Sequence, residues 1–295
     1  MVAPIGPKGA SELVEEQLVE RLREVENLLN SDLVVYVGEI TDTTPAVFKT
    51  ILASIPVRRR KVTVLLETPG GYIEETERIA NILRHNYRTV DFMVTTYAMS
   101  AGTVLVMSGD AILMDYSAVL GPIDPQIQRE ASSRFVPALG YLEQYDRMVK
   151  KSAKHELTSA ELAFMVQNFD AAELYQFEQA RDLSIALLEE WLVKYKFKNW
   201  RKTATTGSTV TAEMRRTRAR EIGQALNDTS RWHSHSRGIS AEMLRRQLRL
   251  HIDDIADVPH LTETVAHFQS LLYDYQMKSG HYYLVFACSG GYHGH

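Results

Sequence analysis

The chain has 295 residues, 45% of them hydrophobic and 24% charged, with a formal net charge of -4. That composition excludes a disordered or fibrous chain. The near-neutral balance leaves no electrostatic footprint for nucleic acid, because the basic clusters at 58–61 and 214–220 are offset by acidic residues elsewhere. Cys288 is the single cysteine, so no internal disulfide and no cysteine-built metal site can form, and a reducing, cytoplasmic setting is expected. Residues 1–10 lack a long apolar stretch and the next twenty are punctuated by Glu and Arg, which predicts neither a secretory signal nor a membrane span.

In chain order, Leu13, Leu18, Leu22, Val25 and Leu29 fall on one stripe and predict an amphipathic helix over 11–30 that docks on the core or on a sister subunit. LVVYV at 33–37 is a short β-branched apolar run, as a buried strand requires. A helix over 44–53 follows, then a strand at 62–66, a glycine turn at 68–71, a helix over 73–84, a strand at 90–95, a second turn, a helix over 102–107 and a strand at 111–114. Strand, turn, helix and strand in repeating order imply parallel pairing with right-handed crossovers, hence an α/β core. From about residue 139 the pattern becomes helical, over 141–154, 160–168 and 171–196. A Thr-rich basic loop occupies 197–211, and helices resume over 212–226, 241–250 and 261–276. The glycine-containing tail, ending in GYHGH, is expected to be poorly ordered, and its histidine spacing is a weak metal signal.

Three segments carry candidate chemistry. TPGG at 68–71 directly follows the strand VTVLL, and two glycines there let backbone amides face a ligand without a side chain in the way, although such a strand end can also be a simple turn. YAMSAGT at 97–103 again follows a strand and opens a helix. Ser100 on so sharp a turn, between small residues, can act as a nucleophile if a base is near; an isolated serine there would more simply cap the helix. Together the two segments suggest more, because amides of Gly71 and Ala101 could converge on one oxyanion. AVLGPIDPQ at 118–126 holds Asp124 between two prolines, a restricted carboxylate suited to orienting a partner or to an ordinary turn.

TPGG, YAMSAGT, GDAILMD and AVLGPIDPQ, in this order and spacing over residues 62–127, resemble the serine dehydrogenase proteinase (SDH) family, a branch of the ClpP and signal peptide peptidase A superfamily. The similarity continues more weakly to about residue 258. The resemblance implies a ClpP/crotonase-like spiral of ββα units with parallel strands plus a C-terminal helical extension. It divides the chain into an N-terminal helix (1–30), a catalytic core (31–138), a helical extension (139–279) whose loop at 231–240 returns to the active site, and a flexible tail (280–295). It also implies Ser100 as nucleophile and an oxyanion hole from Gly70, Gly71 and Ala101. Asp124 occupies the place where ClpP carries its histidine. RWHSHSRGIS at 231–240 resembles the segment where SDH members have a histidine, so His235, with His233 as the alternative, becomes the base of a reordered triad oriented by Asp124. A competing base is Lys151, since KKSA at 150–153 resembles the lysine motif of signal peptide peptidase A; a lysine serves only if its pKa is lowered, and the surrounding cations suggest an exposed helix. The chain departs from the family pattern in having Glu67 where members have His before the glycine turn, in lacking their membrane segment, and in one inserted residue near His235.

The expected activity is peptide-bond hydrolysis through an acyl-enzyme on a peptide or protein substrate, without cofactor or metal. Other readings are an acyl-CoA hydratase or thioesterase of the crotonase type, and an idle scaffold that binds peptides. The resemblance further implies a homo-oligomer, either a ring or stacked trimers. No nucleotide-binding loop is present in the sequence.

Overall fold

The computed structural model describes residues 9–124, 126–128, 135–203, 205–234, 236–280, 284–287 and 291–294. They fall into two units: residues up to 120 together with those from 239 onward, and residues 121–238.

In chain order the first unit contains α1 (Ala10–Leu29), β1 (Asp32–Val37), α2 (Thr44–Ser54), β2 (Lys61–Glu67), α3 (Ile73–Asn86), β3 (Thr89–Val94), β4 (Tyr97–Ala98), α4 (Ala101–Val106), β5 (Ala111–Met114) and β6 (Val119–Leu120). The second unit follows with β7 (Gln126–Gln128), β8 (Phe135–Pro137), α5 (Ala138–Ala153), α6 (Ser159–Asn168), α7 (Ala171–Trp191), α8 (Ala212–Leu226) and α9 (Thr229–Trp232). The chain then rejoins the first unit with β9 (Ile239–Ser240), α10 (Ala241–Gln247), β10 (Asp253–Asp254), α11 (Leu261–Ser279), β11 (Leu284–Ala287) and β12 (Gly291–Gly294).

A seven-stranded sheet in the order β10-β5-β3-β2-β1-β11-β12 is the frame of the first unit. β1, β2, β3, β5 and β10 pair in parallel, as the alternation of strands and helices predicts. The largely apolar sequences of β1, β2, β3 and β5 follow from burial on both faces, whereas the edge strand β10 is the half-buried pair Asp253–Asp254. Leu33, Val35, Leu65 and Met93 face α1 and α11, where they join Leu18, Leu22, Val25, Phe268 and Leu272 in one cluster. The intervening residues face the other side, where the ring of Tyr36 meets Phe48 of α2 at 5.4 Å. Burying one such leucine contributes about 2 kcal/mol, and the apolar stripe of α1 on α11 is supplemented by the Tyr275 hydroxyl of α11, which donates to Glu15 of α1 at 2.5 Å.

Two segments of the tail, 284–287 and 291–294, are strands. LVFA at 284–287 forms β11, which runs antiparallel to β1, and β12 pairs with it in turn. Without β11 the apolar β1 would present an unpaired backbone edge, which parallel sheets avoid by cover or pairing. A second, three-stranded sheet, β4-β6-β9, lies in the same unit and carries the segment that leads to Ser100.

The second unit pairs β7 with β8, and its other described elements are helices apart from an isolated bridge between Lys202 and Thr209. A small cluster of Leu142, Leu174 and Phe177 is closed by Tyr141, Tyr145 and Phe169. The helix predicted over 171–196 is α7 followed by a π-turn at Leu192–Lys196. Among the described residues, no helix is long and apolar enough to cross a membrane.

Candidate active site

β2 and β3 are neighbours in the sheet, and the chain leaving each of them enters one of the two turns. Thr68 keeps the outgoing segments together: its N–H donates to the Tyr97 carbonyl at 3.2 Å, and its own carbonyl accepts from the Met99 N–H at 2.9 Å. The Thr68 hydroxyl then accepts the Gly70 N–H at 3.1 Å and tightens the turn. From the other side, Ile40 donates its N–H to the Gly70 carbonyl at 2.7 Å and accepts the Tyr72 N–H at 3.0 Å. Gly71, between these two bonds, has φ 143°, and a Cβ there would lie 2.0 Å from the Ile40 oxygen, so the position admits only glycine.

Gly70, at φ 109°, is pressed onto the second turn. A Cβ on it would lie 2.8 Å from Ser100 Cβ, 2.9 Å from the Met99 oxygen and 3.3 Å from the Ala101 nitrogen. The two motifs are therefore in contact through backbone. Gly102 serves the same approach, since a Cβ there would meet the Thr68 methyl at 2.3 Å.

Ser100 stands at φ 51° and ψ -121°, a conformation that costs a non-glycine residue about 1–3 kcal/mol and is sustained only by surroundings that overdetermine it. Those surroundings include the Gly102 N–H donating to the Met99 carbonyl at 2.8 Å and the Thr103 hydroxyl donating to the Ala98 carbonyl at 2.8 Å. The serine side chain makes no capping hydrogen bond to α4, which removes the ordinary reason for a serine at that place. Ser100 is half-buried, with Ala101 buried behind it. Among the described residues of this unit, no backbone carbonyl takes the N–H of Gly71 or of Ala101. Beside the turn, burial and then the Glu67 carboxylate push the phenol of Tyr97 above its ordinary value.

The remaining candidates belong to the second unit. Asp124 is completely buried, and the preceding Ile123 N–H donates to the Leu226 carbonyl at 3.0 Å. His233 is exposed at φ 63°, just after Trp232, whose buried indole donates to the Ala225 carbonyl at 2.6 Å. His235 lies outside the described residues. Lys151, on α5, places its ammonium 2.5 Å from Glu161, whose carboxylate also accepts the Thr158 N–H at 3.0 Å. The Lys151 hydrogen bond first, and those from Thr158 next, hold the Glu161 carboxyl down to about 2. The ammonium is thus engaged in an ion pair on the surface of its unit, with about a third of each side chain exposed. Among the described residues, no group of three His, Cys, Asp or Glu side chains is placed to hold a metal ion.

Thr68, Ile40 and Gly102 are essential to this geometry, and the sequence did not assign them these contacts. Thr68, a hydroxyl two residues before a glycine, and Gly102, the glycine of the second turn, lay inside the motifs, whereas Ile40 carried no signal.

A family profile for ClpP-like SDH-type serine proteinases matches residues 39–228, which hold both turns and all the proposed side chains of the second unit except His233 and His235. The chain belongs to that family. Its α/β core with a parallel sheet is accordingly a ClpP-like fold. Two curated relatives come from Methanocaldococcus jannaschii. The uncharacterized protein MJ0137 is 31% identical over 144 residues, covering 46% of this chain and 49% of the relative. The uncharacterized protein MJ1495 is 32% identical over 102 residues, covering 35% of this chain and 33% of the relative. The chain thus spans about half the length of the first and a third of the second. Among solved structures, a variant of the 1510-N membrane-bound stomatin-specific protease is similar over 79% of this chain and 81% of that one, with 12% identity and a TM-score of 0.43.

Proposed function

We propose that this chain is a serine endopeptidase that hydrolyses peptide bonds through an acyl-enzyme on Ser100. The observation that carries the reading is the seat of Gly70 against Ser100, which brings the diglycine turn and the strained serine turn into backbone contact. In this reading the Ser100 oxygen attacks the substrate carbonyl carbon while its proton passes to the base. The Gly71 and Ala101 amides, which have no carbonyl partner among the described residues of their unit, donate to the oxyanion as it forms. The C–N bond then breaks, the proton goes to the leaving amine, and water repeats the sequence to release the acid. Gly70 contributes by close approach, since its own N–H is taken by Thr68.

The base is assigned to His235 and its orientation to Asp124, on the resemblance of 231–240 and 118–126 to the family segments. His233 is the alternative within the same loop. Lys151 is the weaker candidate because its side chain is taken up by Glu161 in a half-exposed ion pair. Self-association into a ring or stacked trimers belongs to the same reading, and sedimentation as a monomer at micromolar concentration would count against it.

The test is hydrolysis of a fluorescent casein and of a mixed fluorogenic peptide pool by the wild type and by Ser100→Ala. Cleavage by the wild type, lost in the variant, supports the proposal. Cleavage that survives the substitution, or turnover of acyl-CoA esters with no peptide cleavage, replaces it.

A further inference from the structure

One carboxylate ties β2 to β3 at the point where both strands leave the sheet for the two turns. Glu67 is the last residue of β2 and is half-buried. A single oxygen of its side chain accepts the Thr96 hydroxyl at 2.6 Å, just after β3, and also the phenol of Tyr273 on α11. The Tyr273 oxygen in turn accepts from the Gln269 amide at 3.0 Å, and that amide reaches the Thr95 hydroxyl at 2.7 Å. Thr95, Thr96 and Glu67 at the strand ends, with Gln269 and Tyr273 one turn apart on α11, thus form one connected set. Burial, and then the bond to Glu67, raise the Tyr273 phenol far above its ordinary value, so it stays a donor throughout the working pH range.

This set is more than the docking of α11. The helix already buries Leu261, Val265, Phe268 and Leu272 against the sheet and α1, and an apolar pair at 67 and 273 would add to that at no desolvation cost. What a hydrogen-bonded carboxylate adds is direction. The next bond along the chain is the Thr68 N–H on the Tyr97 carbonyl, the first of the contacts that seat Gly70 on Ser100.

We propose that Glu67 is a positioning residue for the Ser100 site: oriented by Tyr273 and Thr96, it fixes the separation of β2 from β4 and so the distance from the diglycine turn to the serine turn. This rests on the reading of Ser100 as nucleophile. Tyr273 and Gln269 of α11 are the remote arms of the same brace.

The test uses Tyr273→Phe, which removes one donor and keeps the ring, Glu67→Gln, which keeps the shape and removes the charge, and the double variant. Two readouts are taken: the rate of fluorophosphonate labelling at Ser100, and amide hydrogen exchange of peptides covering 68–72 and 97–103. The brace predicts labelling slowed about tenfold to a hundredfold, the cost of a displacement of about 1 Å between reacting groups. It predicts exchange at both turns about tenfold faster, with β1 and α2 unchanged, and a double variant no worse than the poorer single one. Unchanged exchange overturns the proposal, as does faster exchange with labelling at the wild-type rate. A wild type that never labels removes the nucleophile assignment alone, and exchange at the two turns then decides the brace by itself.

Discussion

The turn that holds Ser100 and the α5–α6 segment that holds Lys151 both offer a group able to take part in proton transfer, and the chain builds them in opposite ways. Around Ser100 the backbone does the positioning. Three glycines at 70, 71 and 102 each lie where a Cβ would come within 3 Å of a neighbour, and nothing there can yield without moving a main chain or a buried threonine. Around Lys151 two half-exposed side chains meet on the surface of their unit, with about a third of each left in solvent. Such pairs contribute little to stability and are readily exchanged for others. A nucleophile that must meet a carbonyl carbon within a few tenths of an ångström belongs in the first kind of surrounding, and a solvated ion pair in the second.

Substitutions can break or sharpen that contrast. The largest effect is expected for Ser100→Ala, which should lower peptide hydrolysis on the order of 10⁴-fold or more, with the circular dichroism spectrum retained. His235→Ala should cost about 10²- to 10⁴-fold in kcat if that residue is the base, whereas Lys151→Ala should stay within about threefold of wild type; the reverse order would move the base to α5. Gly71→Ala should destabilise the protein by about 3 kcal/mol or more in urea unfolding, because the added methyl overlaps the Ile40 carbonyl at a φ of 143°. The smallest effect concerns acid stability. The Glu161 carboxyl is held at about 2 against its ordinary 4.5, so the stabilisation from its pair with Lys151 is full above about pH 4.5 and disappears as pH falls toward 2. The melting temperatures of wild type and Lys151→Ala should differ slightly at neutral pH and converge in acid.

The same contrast explains what could be read in advance. LVVYV and AILM are uninterrupted apolar runs and VTVLL is broken only by Thr63, and burial on both faces of a parallel sheet is the simplest reason for them; the structure has strands at each. The helices alternating with them are legible for a similar reason, since their stripes repeat at 3.6 residues. TPGG and AMSAG declare themselves as turns through their small residues. That the two turns serve one site was open to inference from their pairing and from the family resemblance, but no local pattern says that Gly70 rests on Ser100.

Less local features left no trace. LVFA at 284–287 has the composition of a strand, but its flanking glycines pointed to a loose tail, and its partner β1 is nearly the whole chain away. Glu67 and Tyr273 are 206 residues apart, so neither reveals the other. Asp124 between two prolines could be recognised as constrained, and it is fully buried; its service to a histidine rests on the resemblance of its segment alone.

The central claim is that Ser100 is an activated nucleophile beside a backbone anion site. It is tested most directly by treating the folded protein with a fluorophosphonate and mapping the adduct by peptide mass spectrometry. A single adduct on the peptide containing Ser100, blocked by prior denaturation and absent from Ser100→Ala, is the predicted result. A folded wild type that takes up no label, or an adduct on another residue that persists in Ser100→Ala, would contradict it.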